Sequence, residues 1–105
     1  MRFKIDEKEY ELRYSFRALR TIEKDLGVKF TEFKNAELES LASLLIIFRA
    51  GLLHQNKNIT IDEAEGLLEK INFSQDFFMN VMEKFVEDTT AFYTESKGKK
   101  KIKNE

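Results

Sequence analysis

The sequence lacks several residue types on which small proteins often depend, and each absence narrows the possibilities. Its 105 residues contain no cysteine, no proline and no tryptophan, and only one histidine. Without cysteine, neither disulfides nor thiolate metal sites can support the fold. Without proline, no proline-rich linker divides the chain. A chain of this length fits one domain, and its stability must come from the packing of a single core.

Long apolar runs are also scarce. The most apolar stretch is residues 41–53, LASLLIIFRAGLL, in which Ser43, Arg49 and Gly51 are the exceptions. A membrane span needs about 20 apolar residues, so we expect a buried central helix here and no membrane partner. Leu45 and Phe48 are expected to be fully buried in that helix. No apolar signal-peptide segment is seen at the start of the sequence, so a cytoplasmic location is expected.

The charges are divided unevenly between the body and the end of the chain. The net charge is −1, but residues 1–93 hold 13 basic and 17 acidic residues, while residues 94–105 hold five lysines and two glutamates. A nucleic-acid-binding domain normally carries a basic face on its folded part. We therefore do not expect nucleic acid as the partner of this body.

Apolar periodicity predicts an α+β fold that is mainly helical, with an N-terminal β-hairpin packed on about four helices. Alternation of period two predicts strands over residues 2–6 and 9–14. Spacing of three and four predicts helices over about 16–26, from a cap at Asn35 to about His54, and over about 61–71. The last helix begins at Ser74, and its apolar residues recur at intervals of three and four as far as Tyr93. We expect one domain over 1–94 and a disordered lysine-rich tail over 95–105.

Local signals refine these boundaries. Ser15 is a candidate N-cap and Gly27 suits the left-handed residue after a helix end. Thr60 and Glu63 match a capping box. Gly66 is ambiguous, because it suits either a close helix contact or an exposed position.

No group of residues predicts catalysis. His54 has no acidic residue within seven positions, so a metal site is not expected. The loop after it lacks the carboxylates and the glycine of a calcium loop. The carboxylates of the third helix, which are Asp62, Glu63, Glu65 and Glu69, suit a solvated face. We expect no enzyme activity, no cofactor and no metal.

The last helix has more aromatic residues than one flank of a small core needs. Phe78, Phe85 and Phe92 are seven apart and share one face, with Tyr93 beside them, whereas Phe77 and Val81 are expected to face inward. The first four are candidate partner-binding residues, although a plain core role stays open. Lys99, Lys100 and Lys101 in the tail are further candidates for binding an acidic partner, with a merely solubilising role as the alternative.

The first 72 residues carry a resemblance to a known family. Its elements are the charged hairpin, the run Tyr-x-Leu-x-Tyr-x-Phe-x-Ala-Leu-x-x-Ile-Glu with its Leu-Gly pair, the later Ala-Gly-Leu, and Ile59 to Ala64. Together these resemble the tail assembly chaperones of long-tailed phages and prophages. None of these motifs is a catalytic signature.

The resemblance implies a function that composition does not reveal. Members of the family coat the tape-measure protein and bring tail-tube subunits to it, without remaining in the virion. Many exist in two lengths through a frameshift, and the lysine run near the end of this chain would suit one. Self-association is a further expectation. A generic helical adaptor, or a nucleic-acid-binding regulator that uses the lysine tail, would share the same physical features.

Overall fold

The computed structural model describes the backbone of residues 1–71 and 74–103, and the side chains of these residues except Asn35 and residues 92–103. Within this part, a two-stranded hairpin precedes four α-helices, and a 3-10 segment lies between the first and the second of them. The strands are β1 (Arg2–Ile5) and β2 (Lys8–Glu11), and the 3-10 segment is Phe30–Asn35. The helices are α1 (Phe16–Leu26), α2 (Leu41–Gly51), α3 (Ile61–Lys70) and α4 (Gln75–Lys103). The predicted fold class is confirmed.

The hairpin packs one aromatic face against two helices. β1 and β2 are antiparallel, with Phe3 opposite Tyr10 and their rings stacked at 5.7 Å. The Phe3 ring also lies 5.8 Å from Phe48 on α2 and 5.4 Å from Phe77 on α4. An isolated hairpin is marginal in water, and these ring contacts attach it to the helical core. The strands are shorter than predicted, because the chain leaves the ladder after Glu11 and places Leu12 and Tyr14 in the core, where both are buried.

Local capping sets both ends of α1 as the sequence predicts. Ser15 accepts a hydrogen bond from the backbone of Ala18, and Gly27 adopts a left-handed φ of 69°. The 3-10 segment follows, and Phe33 is buried there, while Val28 and Phe30 are half-buried and pack against the core.

The central helix is shorter than predicted at both ends. Its N-cap is Ser40, whose hydroxyl accepts from the backbone N–H of Ser43 at 3.1 Å, and not Asn35. The reason is that Ala36 is extended after the 3-10 segment, so α2 cannot begin there. The helix ends at Gly51, and turns replace the predicted continuation to His54.

Burial along α2 separates residues that the apolar pattern treats alike. Phe48 and Ile47 are fully buried, as expected for Phe48. Leu45 is only half-buried, so its predicted full burial is wrong, and Leu41 is 68% exposed. A helix in a domain of this size has neighbours on only part of its surface. Leu41 lies outside that part, and Leu45, which packs against the core, lies at its edge.

The two remaining helices begin with the predicted caps. Thr60 and Glu63 form the reciprocal capping box of α3, and Ala64 is its fully buried residue. Ser74 accepts from the backbone of Phe77 at the start of α4, at 3.2 Å. α4 continues past Thr94, where the sequence predicts the tail to begin, and the division of the chain at that point stays a prediction. None of the described helices combines the length and apolar character needed to cross a bilayer.

A candidate partner-binding groove on the last helix

A groove of about 780 Å³ lies between the first half of α4 and the start of α2. Its apolar walls are Leu41 on α2 and Phe78, Met79, Met82 and Val86 on α4, and we call this surface the α4 groove. Leu41, Met79 and Val86 are each more than half exposed. Single exposed apolar side chains are ordinary, whereas a cluster that lines a depression is typical of a binding surface.

Helical spacing explains why these residues of α4 share one surface. Met79, Met82 and Val86 follow one another at intervals of three and four, which brings them to the same side of a helix. Methionine side chains are flexible and polarisable, so they adapt to partners of different shape. The groove can therefore accept an apolar helix or strand without a fixed complementary shape.

The opposite side of α4 fixes the helix to the core. Val81 is fully buried, and Phe77 contacts the rings of Phe3 and Phe48, so the expected inward orientation of Val81 and Phe77 is confirmed. Because the core side is held by these contacts, changes in the α4 groove should not detach the helix.

Phe85 is the main correction to the predicted binding stripe. It is 3% exposed, and its ring lies 5.3 Å from Tyr14 and 5.8 Å from Phe33. Seven residues are slightly less than two full turns of an α-helix, so equal spacing alone does not tell which of two such residues meets the core. Here the aromatic rings of Tyr14 and Phe33 surround Phe85, which is therefore a core residue in this structure.

The other predicted binding residues have different outcomes. Phe78 is half-buried and lines the α4 groove, which agrees with a surface role. The side chains of Phe92, Tyr93 and the three lysines at 99, 100 and 101 lie outside the described residues. Their assignment as partner-binding residues stays a prediction.

Sequence reasoning missed Met79 and Leu41 as surface residues. Met79 was absent from the predicted stripe, although its spacing to Met82 and Val86 contained the signal. Leu41 lies in the apolar stretch that predicts a buried central helix, and the apolar pattern does not show that Ser40 caps the helix immediately before it. A capping residue directly before an apolar residue is the signal that could have marked its exposed first turn.

Polar contacts hold α4 beside the first part of the chain. The Asp88 carboxylate accepts from the backbone N–H of Tyr14 at 3.0 Å and pairs with Lys84 at 3.0 Å. The Tyr14 hydroxyl donates to the carbonyl oxygen of Ile47 at 2.9 Å. Burial raises the pKa of Tyr14 far above its usual value, and the charge of Asp88 adds to this effect. The phenol therefore stays protonated and keeps this hydrogen bond.

Among the described residues, few side chains are placed for metal binding or catalysis. They include no group of three histidine, cysteine or acidic side chains placed to hold a metal ion. His54 is exposed, and its Nε2 lies 2.7 Å from the carbonyl oxygen of Glu11, which links the turn after α2 to the hairpin. That contact gives the histidine a structural role.

Comparison with known proteins identifies the family. A family model described as phage tail assembly chaperone protein, TAC, matches residues 2–100. This chain belongs to the phage tail assembly chaperone family. No curated protein and no solved structure matches it. The family implies a non-enzymatic role in the host cell during tail assembly, in contact with tail proteins.

Proposed function

We propose that this tail assembly chaperone binds the tape-measure protein and brings tail-tube subunits to it, and that the α4 groove is the surface that holds the tape-measure protein. The observation that supports the groove is the cluster of exposed apolar residues between α2 and α4. Binding of an apolar helix in such a groove is a common mode of peptide recognition, with anchors spaced by three and four.

A chaperone of this type must hide apolar surface of a partner before assembly and release it later. The α4 groove has flexible methionines and an open form, which suits a contact that is broad and reversible. We propose that the chaperone leaves before the tail is complete. Mass spectrometry of purified virions should then detect the tape-measure protein and no peptide of this chain.

The direct test is co-purification with the tape-measure protein after co-expression, followed by measurement of affinity. Met79→Asp places a charge in the groove, and Met79 is 58% exposed, so folding should be retained. We expect the affinity to fall by about tenfold or more, which corresponds to about 1.4 kcal/mol. The matched control is Asn80→Asp, which introduces the same residue at the next, exposed position of α4, outside the groove.

Two results would count against the proposal. The first is a parent protein that does not bind the tape-measure protein at micromolar concentration. The second is equal loss of affinity in Met79→Asp and Asn80→Asp, which would show that the groove is not the binding surface. Recruitment is tested by adding the tail-tube protein, and a ternary complex in sedimentation is the expected result.

The proposed function includes a longer form and self-association. The lysine run at 99–101 would support a ribosomal frameshift if its codons form an adenine run. Expression of the gene with its native downstream sequence should then give two products, of which the longer begins with the same residues. Sedimentation of this chain by itself should give a species heavier than a single chain, as self-association requires.

A further inference from the structure

The exposed apolar surface extends beyond the α4 groove towards α3. Leu41, which forms one wall of the groove, also lines a shallow cleft whose other walls include Leu45 and Leu68. Both of these leucines are half-buried. The cleft therefore adjoins the groove at Leu41, in the first turn of α2.

The surface also continues in the other direction. Met82 and Val86 are shared between the groove and a depression that reaches Phe33 and Ala36 in the segment before α2. We call the groove with its two extensions the apolar band. It crosses α4, the start of α2 and the side of α3.

Charges along this band are almost all negative. The acidic residues that line it are all exposed, and they are Glu37, Glu39, Glu65, Glu69 and Glu83. Among the described residues that line it, Lys34 carries the one positive charge. This differs from the whole chain, in which 18 basic residues nearly balance 19 acidic ones.

An apolar surface with a negative rim favours a partner with the opposite pattern. Acidic side chains at the rim attract lysine and arginine and disfavour partners with acidic flanks, which determines specificity and the rate of association more than the total affinity. The long stems of lysine and arginine can lie along apolar surface while their charged ends reach the carboxylates. A helix supplies such a pattern when apolar residues recur at three and four.

We propose that the apolar band binds a basic amphipathic helix of the partner protein, with its apolar side chains in the band and its lysines or arginines at the acidic rim. This proposal rests on the proposed function only in that both use the α4 groove. It adds the chemical class of the bound segment and the carboxylates that select it.

The test uses two labelled model peptides of about 18 residues, a length at which a helix can form on a surface. Both carry leucine at positions i, i+3, i+4 and i+7, and the flanking positions are lysine in one and glutamate in the other. Fluorescence anisotropy with the full chain should give at least about tenfold tighter binding of the lysine peptide. The difference should shrink as salt is raised, because salt screens exposed charges.

A pair of variants on α4 tests the rim itself. Glu83→Lys reverses a charge on the band, and Glu87→Lys reverses a charge one turn further along, at an exposed residue outside the band. The net charge of the chain changes equally in both. We expect Glu83→Lys to weaken binding of the lysine peptide by about threefold, mainly through slower association, and Glu87→Lys to weaken it less.

The outcomes distinguish this inference from the proposed function. Equal binding of the two peptides, or equal effects of the two variants, would overturn the basic-helix proposal even if the tape-measure protein binds the groove. Selective binding of the lysine peptide would support it even if the tape-measure protein does not bind. Self-association of the parent that Glu83→Lys abolishes would overturn the assignment of this helix to a partner protein, because the occupant would then be a second copy of this chain.

Discussion

Thr89 carries a buried hydroxyl that the structure does not use. The residue is 6% exposed, and its Oγ1 has no hydrogen-bond partner among the described residues. A buried polar group without a partner costs free energy, because its hydrogen bonds to water are lost. Thr89→Val replaces the hydroxyl with a methyl group of similar shape, at almost equal helix propensity.

We therefore expect Thr89→Val to raise the free energy of unfolding by about 1 kcal/mol in urea denaturation. The control is Thr90→Val, at the next and exposed residue of α4, which should change stability by less than about 0.5 kcal/mol. A loss of stability in Thr89→Val would show that the hydroxyl has a partner after all.

Two glycines that look alike in the sequence have opposite surroundings. A Cβ at Gly51 would lie 2.9 Å from Leu12 Cδ2 and from the Tyr14 ring, whereas a Cβ at Gly66 would meet nothing within 4 Å. Both residues are in helices, where alanine is preferred over glycine by roughly 1 kcal/mol. Only at Gly66 is that preference free of a steric cost, which resolves its ambiguity in favour of the open position.

The expected results are opposite in sign. Gly66→Ala should raise the free energy of unfolding by about 0.5 to 1 kcal/mol. Gly51→Ala should lower it by about 1 to 3 kcal/mol, because the added methyl displaces Leu12 or Tyr14. Thermal and urea unfolding of the two variants provide the measurement, and a destabilised Gly66→Ala would mean that another segment covers that position.

At the scale of elements, the turn of the hairpin is strained. The two residues between β1 and β2 are Asp6 and Glu7, and their φ angles are 52° and 69°. A two-residue turn with both φ angles positive is the type that favours Asp-Gly or Asn-Gly. An ordinary L-residue in this conformation costs about 1 kcal/mol. Asp6 tolerates it better than Glu7 does, and it also pairs with Lys70 of α3 at 2.9 Å.

Glu7→Gly should accordingly raise the free energy of unfolding by up to about 1 kcal/mol. Glu9→Gly serves as the comparison, because the same change within β2 should destabilise the strand. Chemical denaturation of both variants measures the effect. If Glu7→Gly is as destabilising as Glu9→Gly, the turn conformation is not the one described.

Capping chemistry explains which elements the sequence predicts well. α1 and α3 were bounded correctly because Ser15, Gly27 and the pair Thr60 and Glu63 act within a few residues of one another. The predicted start of α2 was wrong because two residues in this region, Asn35 and Ser40, can each cap a helix. The choice between them depends on the 3-10 segment that buries Phe33, which is a contact between distant parts of the chain.

The candidate site was predicted less well than the fold, for a related reason. Periodicity showed that α4 carries more apolar residues than a core needs, but the core takes the side with Phe85 and leaves the side with Met79 exposed. That choice is made by Tyr14 and Phe33, which lie far away in the sequence. The sequence pattern shows how much of a helix surface is apolar. Which side of that surface remains exposed depends on the residues that pack against the helix.

At the scale of the whole molecule, the uneven distribution of charge draws attention to residues 97–105 and to whether they contribute to folding. This segment contains five lysines and one apolar residue, Ile102. Because it offers almost nothing to a core, deleting it should leave the midpoint of urea unfolding unchanged. A shift of the midpoint to lower urea would show that the segment packs against the folded body.

The same deletion distinguishes the chaperone function from that of a nucleic-acid-binding regulator, because a regulator would use these lysines to contact phosphates. Each such contact makes affinity fall steeply with salt. We expect the full chain to show no affinity for DNA or RNA near physiological salt, and the deletion variant to bind the tape-measure protein as the parent does. The apolar contacts of the α4 groove, by contrast, are not weakened by salt, and only the contribution of its acidic rim is screened. Salt-sensitive binding of nucleic acid that disappears on deletion would favour the regulator. Loss of tape-measure binding on deletion would show that the lysines, and not the groove alone, form the partner surface.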